Sequence, residues 1–372
     1  MQGHGQRVSA ASVFAVLAAC LVVFGLVTAT RAIPPAQRPE LGAAPAPGQV
    51  GGPPVLRKPV PTRAAQITLA FAGDVHFEGR VRQRLADPAS TLGPVAAVLS
   101  RADLAMVNLE TAITEGGTAQ PKEFVFRAPP TAFTALRSAG VDVATMANNH
   151  GVDFGLAGLQ DSLTAIQATR FPVVGLGADA AHAYAPWYTT VRGHRVAILA
   201  ASQVRDRTLT AWAAGDGSPG IASAYSDRLL ASVREARQRA EVVVVYLHWG
   251  EEGRSCPLSA QRDVAQRLAA AGADAVVGTN AHLLLGGGWL GPTYVAYGLG
   301  NFLWWRDDAY SNDTGVLNLT FRGRRVVAAS LVPAEIDERG VPVPARGAAA
   351  SRIKVSWDGV RACADLAAAP GG

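Results

Sequence analysis

Ile67-Thr68-Leu69-Ala70-Phe71-Ala72-Gly73-Asp74-Val75-His76 joins a short apolar run to a cluster of polar, chemistry-bearing side chains. The same join recurs along the chain. Residues 104–107 lead into Asn108-Leu109-Glu110, and 141–146 lead into Ala147-Asn148-Asn149-His150-Gly151-Val152-Asp153. Residues 242–247 run into His248-Trp249-Gly250-Glu251, 275–278 into Thr279-Asn280-Ala281-His282, and 295–299 into Gly300-Asn301-Phe302. Runs this short and this apolar, with 196–201 as a further example, predict strands buried on both faces. Stretches 131–139, 156–168, 225–240 and 259–271 carry Ala, Leu, Gln and Arg at helical spacing. Strands alternating with helices make an α/β fold. Near the end, 315–321 and 325–332 flank Arg322-Gly323-Arg324, a hairpin signal.

Outward from this region the character of the chain changes. Residues 8–30 hold no charge, and 23 residues suffice to cross a bilayer core. They predict an uncleaved, single-pass anchor after a short segment 1–7, rather than a cleaved signal. Leu17-Ala18-Ala19-Cys20 resembles a lipobox, but Leu21 to Val27 stays apolar where a lipoprotein would turn polar. Residues 31–65 form a linker with nine prolines between 32 and 62, too poor in packing residues for a core and biased to extended polyproline II. The folded domain is expected over 66–340. A Pro- and Ala-rich tail follows over 341–372, with one strand around 353–357.

The net charge of +5 excludes less than it suggests. Six basic residues and one acidic residue precede Gln66, which leaves 28 of each sign in the remainder. A formally neutral domain offers no basic face for nucleic acid. Only three of the 34 basic residues are Lys, a skew read as coding bias. Three cysteines exclude a disulfide-stapled scaffold and a thiolate zinc ribbon. Cys256 and Cys363 are able to pair outside the cell, although spacing does not decide it. Gly286–Gly291 matches dinucleotide glycine spacing without a following helix, and reads as a turn. His182 and His194, with no motif around them, read as surface residues.

In open α/β sheets, ligands bind beyond the carboxyl ends of strands. Four of the seven histidines (His76, His150, His248, His282) stand there, with Asp74 and Glu110. A single such histidine is usually structural, and Asp after Gly is usually turn chemistry. Together they point to a metal site. Asp74 and His76, two apart, would share a face in extended chain. Oxygen and imidazole donors without thiolate suit divalent Mn, Fe or Zn. Two such ions would polarise a phosphoryl or acyl group.

These segments, in this order, resemble the CapA family of capsule and poly-γ-glutamate synthesis proteins. The fold of that family looks like that of the calcineurin-like metallophosphatases. The resemblance implies a sandwich of two β-sheets flanked by helices, on a domain that faces outward from the cell membrane. By residue, it implies Asp74, His76, Glu110 and His282 around a first ion, and Glu110, Asn149 and His248 around a second. His150 is then the general acid, grouped with Asp153 as catalytic, while Arg80, Glu251 and Asn301 are the expected substrate contacts. Where the family usually shows Gly-x-His-Pro-His, this chain has Gly278-Thr279-Asn280-Ala281-His282. An amide replaces an imidazole at Asn280, so one ion is expected to bind tightly and the second weakly. The implied role is synthesis, export or processing of an anionic envelope polymer such as poly-γ-glutamate. A phosphoesterase acting on a phosphorylated envelope compound and a non-catalytic scaffold for other capsule-synthase subunits are the alternatives.

Overall fold

A computed structural model of the chain describes residues 65–306, 308–309 and 311–371. The expected 1–7 segment, the anchor 8–30 with Cys20, and all of the linker but Ala65 lie outside the described residues. Among the described residues no helix is long and apolar enough to cross a membrane.

Two mixed sheets form the frame. In spatial order, the first runs Pro342–Pro344, Arg325–Ile336, Asp313–Arg322, Gln66–Val75, Leu104–Leu109, Val143–Thr145 and Val173–Val174. Asn301–Leu303 adds in parallel to the far end of Gln66–Val75. The second runs Gly287–Leu290, Thr293–Ala296, Ala275–Thr279, Val242–His248, His194–Ser202 and Trp187–Val191. The central strands of both sheets are parallel, and antiparallel hairpins close the edges.

Side-chain alternation explains why these strands read as unbroken apolar runs. Leu69 and Phe71 enter the layer between the sheets, together with Ile198, Val242, Val244 and Tyr246. Ala70 and Ala72 face the opposite way, toward Phe133, Leu136 and Leu159 of the helices Thr131–Ser138 and Gly155–Thr169. On the second sheet, Val243 and Val245 meet Leu229, Val233, Ala265 and Leu268 of Asp227–Arg239 and Ser259–Ala271. Each central strand is thus covered on both faces. The Tyr246 hydroxyl donates to the Ala72 carbonyl at 2.7 Å, stitching one sheet to the other.

Three expectations are corrected. The strand expected around 353–357 lies in the helix Gly347–Val360, where Ile353 and Trp357 are buried. The glycine segment read as a turn contains the edge strand Gly287–Leu290, paired antiparallel with Thr293–Ala296. His194 is buried, with Nδ1 2.7 Å from Glu241 and Nε2 2.7 Å from the Ala65 carbonyl. Cys256 and Cys363 form a disulfide, which ties the loop before Ser259–Ala271 to the chain beyond Gly347–Val360.

Candidate metal centre

The carboxyl ends of parallel strands from both sheets meet at one edge. Asp74 lies at the carboxyl end of Gln66–Val75, and Glu110 follows Leu104–Leu109. Asn149, His150 and Asp153 occupy the turns after Val143–Thr145, and His248 ends Val242–His248 of the second sheet. The carboxylates of Asp74 and Glu110 and the imidazole of His248 each offer a ligand atom within 4.8 Å of the others, and all three residues are buried. His282 adjoins them, with Nδ1 3.5 Å from Asp74 Oδ2. Asn149 Oδ1 lies 2.9 Å from His248 Nε2.

Several acceptors here have nothing to accept from. Asp74 Oδ2, Glu110 Oε1, Asn280 Oδ1 and Asn301 Oδ1 are buried without hydrogen-bond partners, as is His282 Nδ1, whose nearest acid is the ion-paired Asp74 Oδ2. Burial of an unpaired polar atom ordinarily costs about 1–3 kcal/mol. A concentration of such atoms around two carboxylates and an imidazole is the donor chemistry of a divalent cation. The residues present therefore fit the group that the sequence implies.

The electrostatics agree. Burial, and then the nearby Asp74, hold the Glu110 carboxyl well above its ordinary range. Burial pushes His248 down to about 3 against the opposing pull of Asp74, so its ring is neutral and able to ligate. Burial would also lower His282, but its contact with Asp74 carries it above the ordinary value. Asp74 shows the converse: burial works against ionisation, and His282 outweighs it.

Beside this centre stands a histidine–aspartate pair. His150 Nδ1 is 2.5 Å from Asp153 Oδ2, and its Nε2 is 3.8 Å from Glu110 Oε1. Phe126 stacks on the imidazole at 4.0 Å, and the Phe126 amide donates to Asp153 Oδ2 at 2.7 Å. A cavity of about 320 Å³ opens over the site, lined by His150, His282 and Asn301 together with Phe124, Trp304 and Trp305.

Not every expected residue joins. The Glu78 amide lies 3.0 Å from His76 Nδ1 and the Trp305 amide 3.2 Å from Nε2, of which the neutral ring accepts from one, and the ring packs between Phe126 and Trp304. The reason is local: the strand ends at Val75, so His76 lies beyond it, where the two-residue alternation from Asp74 no longer applies. Arg80 donates to the carbonyls of Glu338 and Arg306, tying its short helix down rather than lining the cavity. Glu251 is exposed and paired with Arg254, while Glu252 takes the place at the cavity wall. Asn280 donates its amide to the Gly250 carbonyl at 3.1 Å.

Besides Glu252, two residues were given no role from the sequence. Asn108 Nδ2 donates to Asp74 Oδ1 at 2.8 Å and reaches Glu110 Oε2 at 3.4 Å, spacing the two carboxylates. Lys122 Nζ donates to Asp153 Oδ1 at 2.7 Å and to the Asn149 carbonyl at 2.5 Å. The rarity of lysine in this chain was the only signal available for it.

The sequence pattern of the family described as Bacterial capsule synthesis protein PGA_cap matches residues 68–304, every strand end named above included. This chain belongs to that family. Among relatives in the capsule synthesis family, the PGA biosynthesis protein CapA of Bacillus subtilis (strain 168) is 26% identical over 287 residues, covering 75% of this chain and 74% of that protein. The capsule biosynthesis protein CapA of Bacillus anthracis is 31% identical over 218 residues, covering 58% of this chain and 52% of that protein. In structure, a protein titled a novel phosphatase from Mycoplasma pneumoniae has a TM-score of 0.46 and 14% identity, over 74% of this chain and 96% of that one. A likeness at that score carries no inference about chemistry.

Proposed function

We propose that this chain acts in the synthesis, export or processing of an anionic cell-envelope polymer such as poly-γ-glutamate, from a domain tethered at the cell membrane and turned outward. The observation that carries the reading is the set of buried, unpartnered acceptors around Asp74, Glu110 and His248, with the His150–Asp153 pair alongside. Membership of a capsule synthesis family supports the polymer, the uncharged run 8–30 supports the tether, and the Cys256–Cys363 bond supports an oxidising compartment.

Asp74, Glu110 and His248 would hold a divalent cation of the Mn, Fe or Zn type, which when bound polarises a phosphoryl or acyl oxygen. Asn108 keeps the two carboxylates apart and oriented. Asp153 fixes the His150 ring through Nδ1, which leaves Nε2 to deliver a proton to a departing oxygen. His282, beside Asp74, would add to this first position, whereas a second would have Glu110 shared, Asn149 and at best the Asn280 amide oxygen, a weaker donor set.

One observation favours hydrolysis of a phosphorylated envelope substrate as the second reading. Among the described lining residues the cavity presents a single formal cation, Arg306, against Glu252 and Asp308, and its volume suits one compact group rather than a run of carboxylates. Metal analysis of the purified full-length chain, paired with hydrolysis assays on phosphoesters and on poly-γ-glutamate, separates the readings. One ion retained after dialysis, a second bound only at excess metal, and a tighter second ion in Asn280→His are the expected results. Two ions held equally tightly contradict the weak second position. No metal under any condition, with His248→Ala functional in cells, leaves only a scaffold for other synthase subunits.

A further inference from the structure

The turn from Asn149 to Asp153 carries an amide donor to the metal centre and the proton-carrying histidine, yet it belongs to no helix or strand. What grips it is the segment from Gln120 to Phe126. The Gln120 amide donates to the Asp153 carbonyl at 2.7 Å, and the Phe126 amide donates to the Asp153 carboxylate. Between them Lys122 Nζ reaches both ends of the turn, the Asn149 carbonyl at 2.5 Å and Asp153 Oδ1 at 2.7 Å, with Asp206 Oδ2 at 3.8 Å. Thr208 Oγ1 donates to the same Asn149 carbonyl at 2.6 Å, so both lone pairs of that oxygen are used. The lysine side chain is 15% exposed.

We infer that Lys122 is a positioning residue, whose ammonium draws the Asn149 carbonyl and the Asp153 carboxylate together so that Asn149 Oδ1 and His150 Nε2 face one centre. The inference rests on the proposed reading of His150 as proton donor. The choice of lysine fits it. In a chain whose other basic residues are nearly all arginine, a compact ammonium stands where donors must diverge toward acceptors at both ends of one turn. A planar guanidinium directs its donors as a fork and is bulkier, so arginine cannot replace it in this enclosed position. Asp153, held by Lys122, the Phe126 amide and His150, is thereby fixed on three sides. Without the lysine, Asp153 Oδ1 loses this donor while Oδ2 keeps the Phe126 amide and His150, so the carboxylate and the imidazole it orients are held less firmly.

The test uses the full-length chain with Mn²⁺ and two phosphate monoesters, 4-nitrophenyl phosphate and phenyl phosphate. The first leaving group departs without help, and the second needs a proton. Lys122→Met is expected to lower kcat on phenyl phosphate by about 10²-fold and on 4-nitrophenyl phosphate by less than about 3-fold. Lys122→Arg should not restore it. Equal losses on both esters, or full recovery with arginine, overturn the inference. A second readout needs no turnover. In proton NMR of the metal-free chain, the low-field resonance of the proton between His150 and Asp153, identified by its loss in His150→Gln, should shift or vanish in Lys122→Met. A resonance unmoved in a folded Lys122→Met overturns the inference whatever the activity. If the unmodified chain hydrolyses neither ester while the resonance still depends on Lys122, the proposed chemistry fails and the positioning role stands.

Discussion

Glu110 is a carboxyl group sealed from water with a second carboxylate, Asp74, alongside. Its folded pKa is raised, so the linkage has a definite sign. At low pH both folded and unfolded chains carry the proton and the residue costs nothing. As pH rises past the ordinary carboxyl value near 4.3, the unfolded chain ionises first and the fold loses stability, until the folded pKa is passed. Metal-free Glu110→Gln should therefore be more stable than the unmodified chain at pH 7 by about 1–3 kcal/mol, with the difference closing toward pH 4. Urea denaturation with a chelator present measures it, and a less stable variant at pH 7 would count against this account. Adding Mn²⁺ should reverse the order, because a ligand that binds only the folded state stabilises the chain that can hold it. Ion binding should also release the Glu110 proton, detectable as a buffer-dependent heat.

At the scale of elements, the C-terminal helix is the sharpest test of packing. Ile353, Val355 and Trp357 alternate with Lys354 and Ser356, which satisfies a period of two. Ile353 and Trp357 are also four apart, and the chain uses that spacing. Both are buried, whereas Val355 is 72% exposed. Trp357→Ala should cost about 3–5 kcal/mol in chemical denaturation, and Val355→Ala no more than about 0.5 kcal/mol. A strand would have buried all three alike, so comparable losses would favour it. The same ambiguity explains what was legible. The central parallel strands could be read because both their faces are covered. The edge strands Trp187–Val191 and Gly287–Leu290 escaped, the first half-exposed and the second rich in glycine. The strand ends carrying Asp74, Glu110, Asn149, His150 and His248 could be read for their chemistry, since ends of parallel strands converge. The place of His76 could not, because the strand ends at Val75 and alternation fixes no side chain beyond it. Glu252 and Lys122 reach the site from loops whose approach only tertiary packing defines.

Across the whole molecule, the site gathers residues from Asp74 to Asn301, and the disulfide closes a further span of 107 residues from Cys256 to Cys363. Opening a loop of that size costs about 2–5 kcal/mol. Cys363→Ser should lower stability by that order in denaturation and loosen the loop at Gly253, which lines the cavity. The bond also makes the cysteines a ledger of where the chain has travelled. Of three cysteines in the sequence, two are spent on each other and only Cys20 is left. A permeant maleimide added to cells, followed by denaturing lysis without reductant, should therefore mark one position on an outward-facing chain, and three after reduction. A lipid on Cys20 would change those counts to none and two. A domain kept in the reducing cytoplasm would show three from the start, so one gel reads compartment and anchor chemistry together.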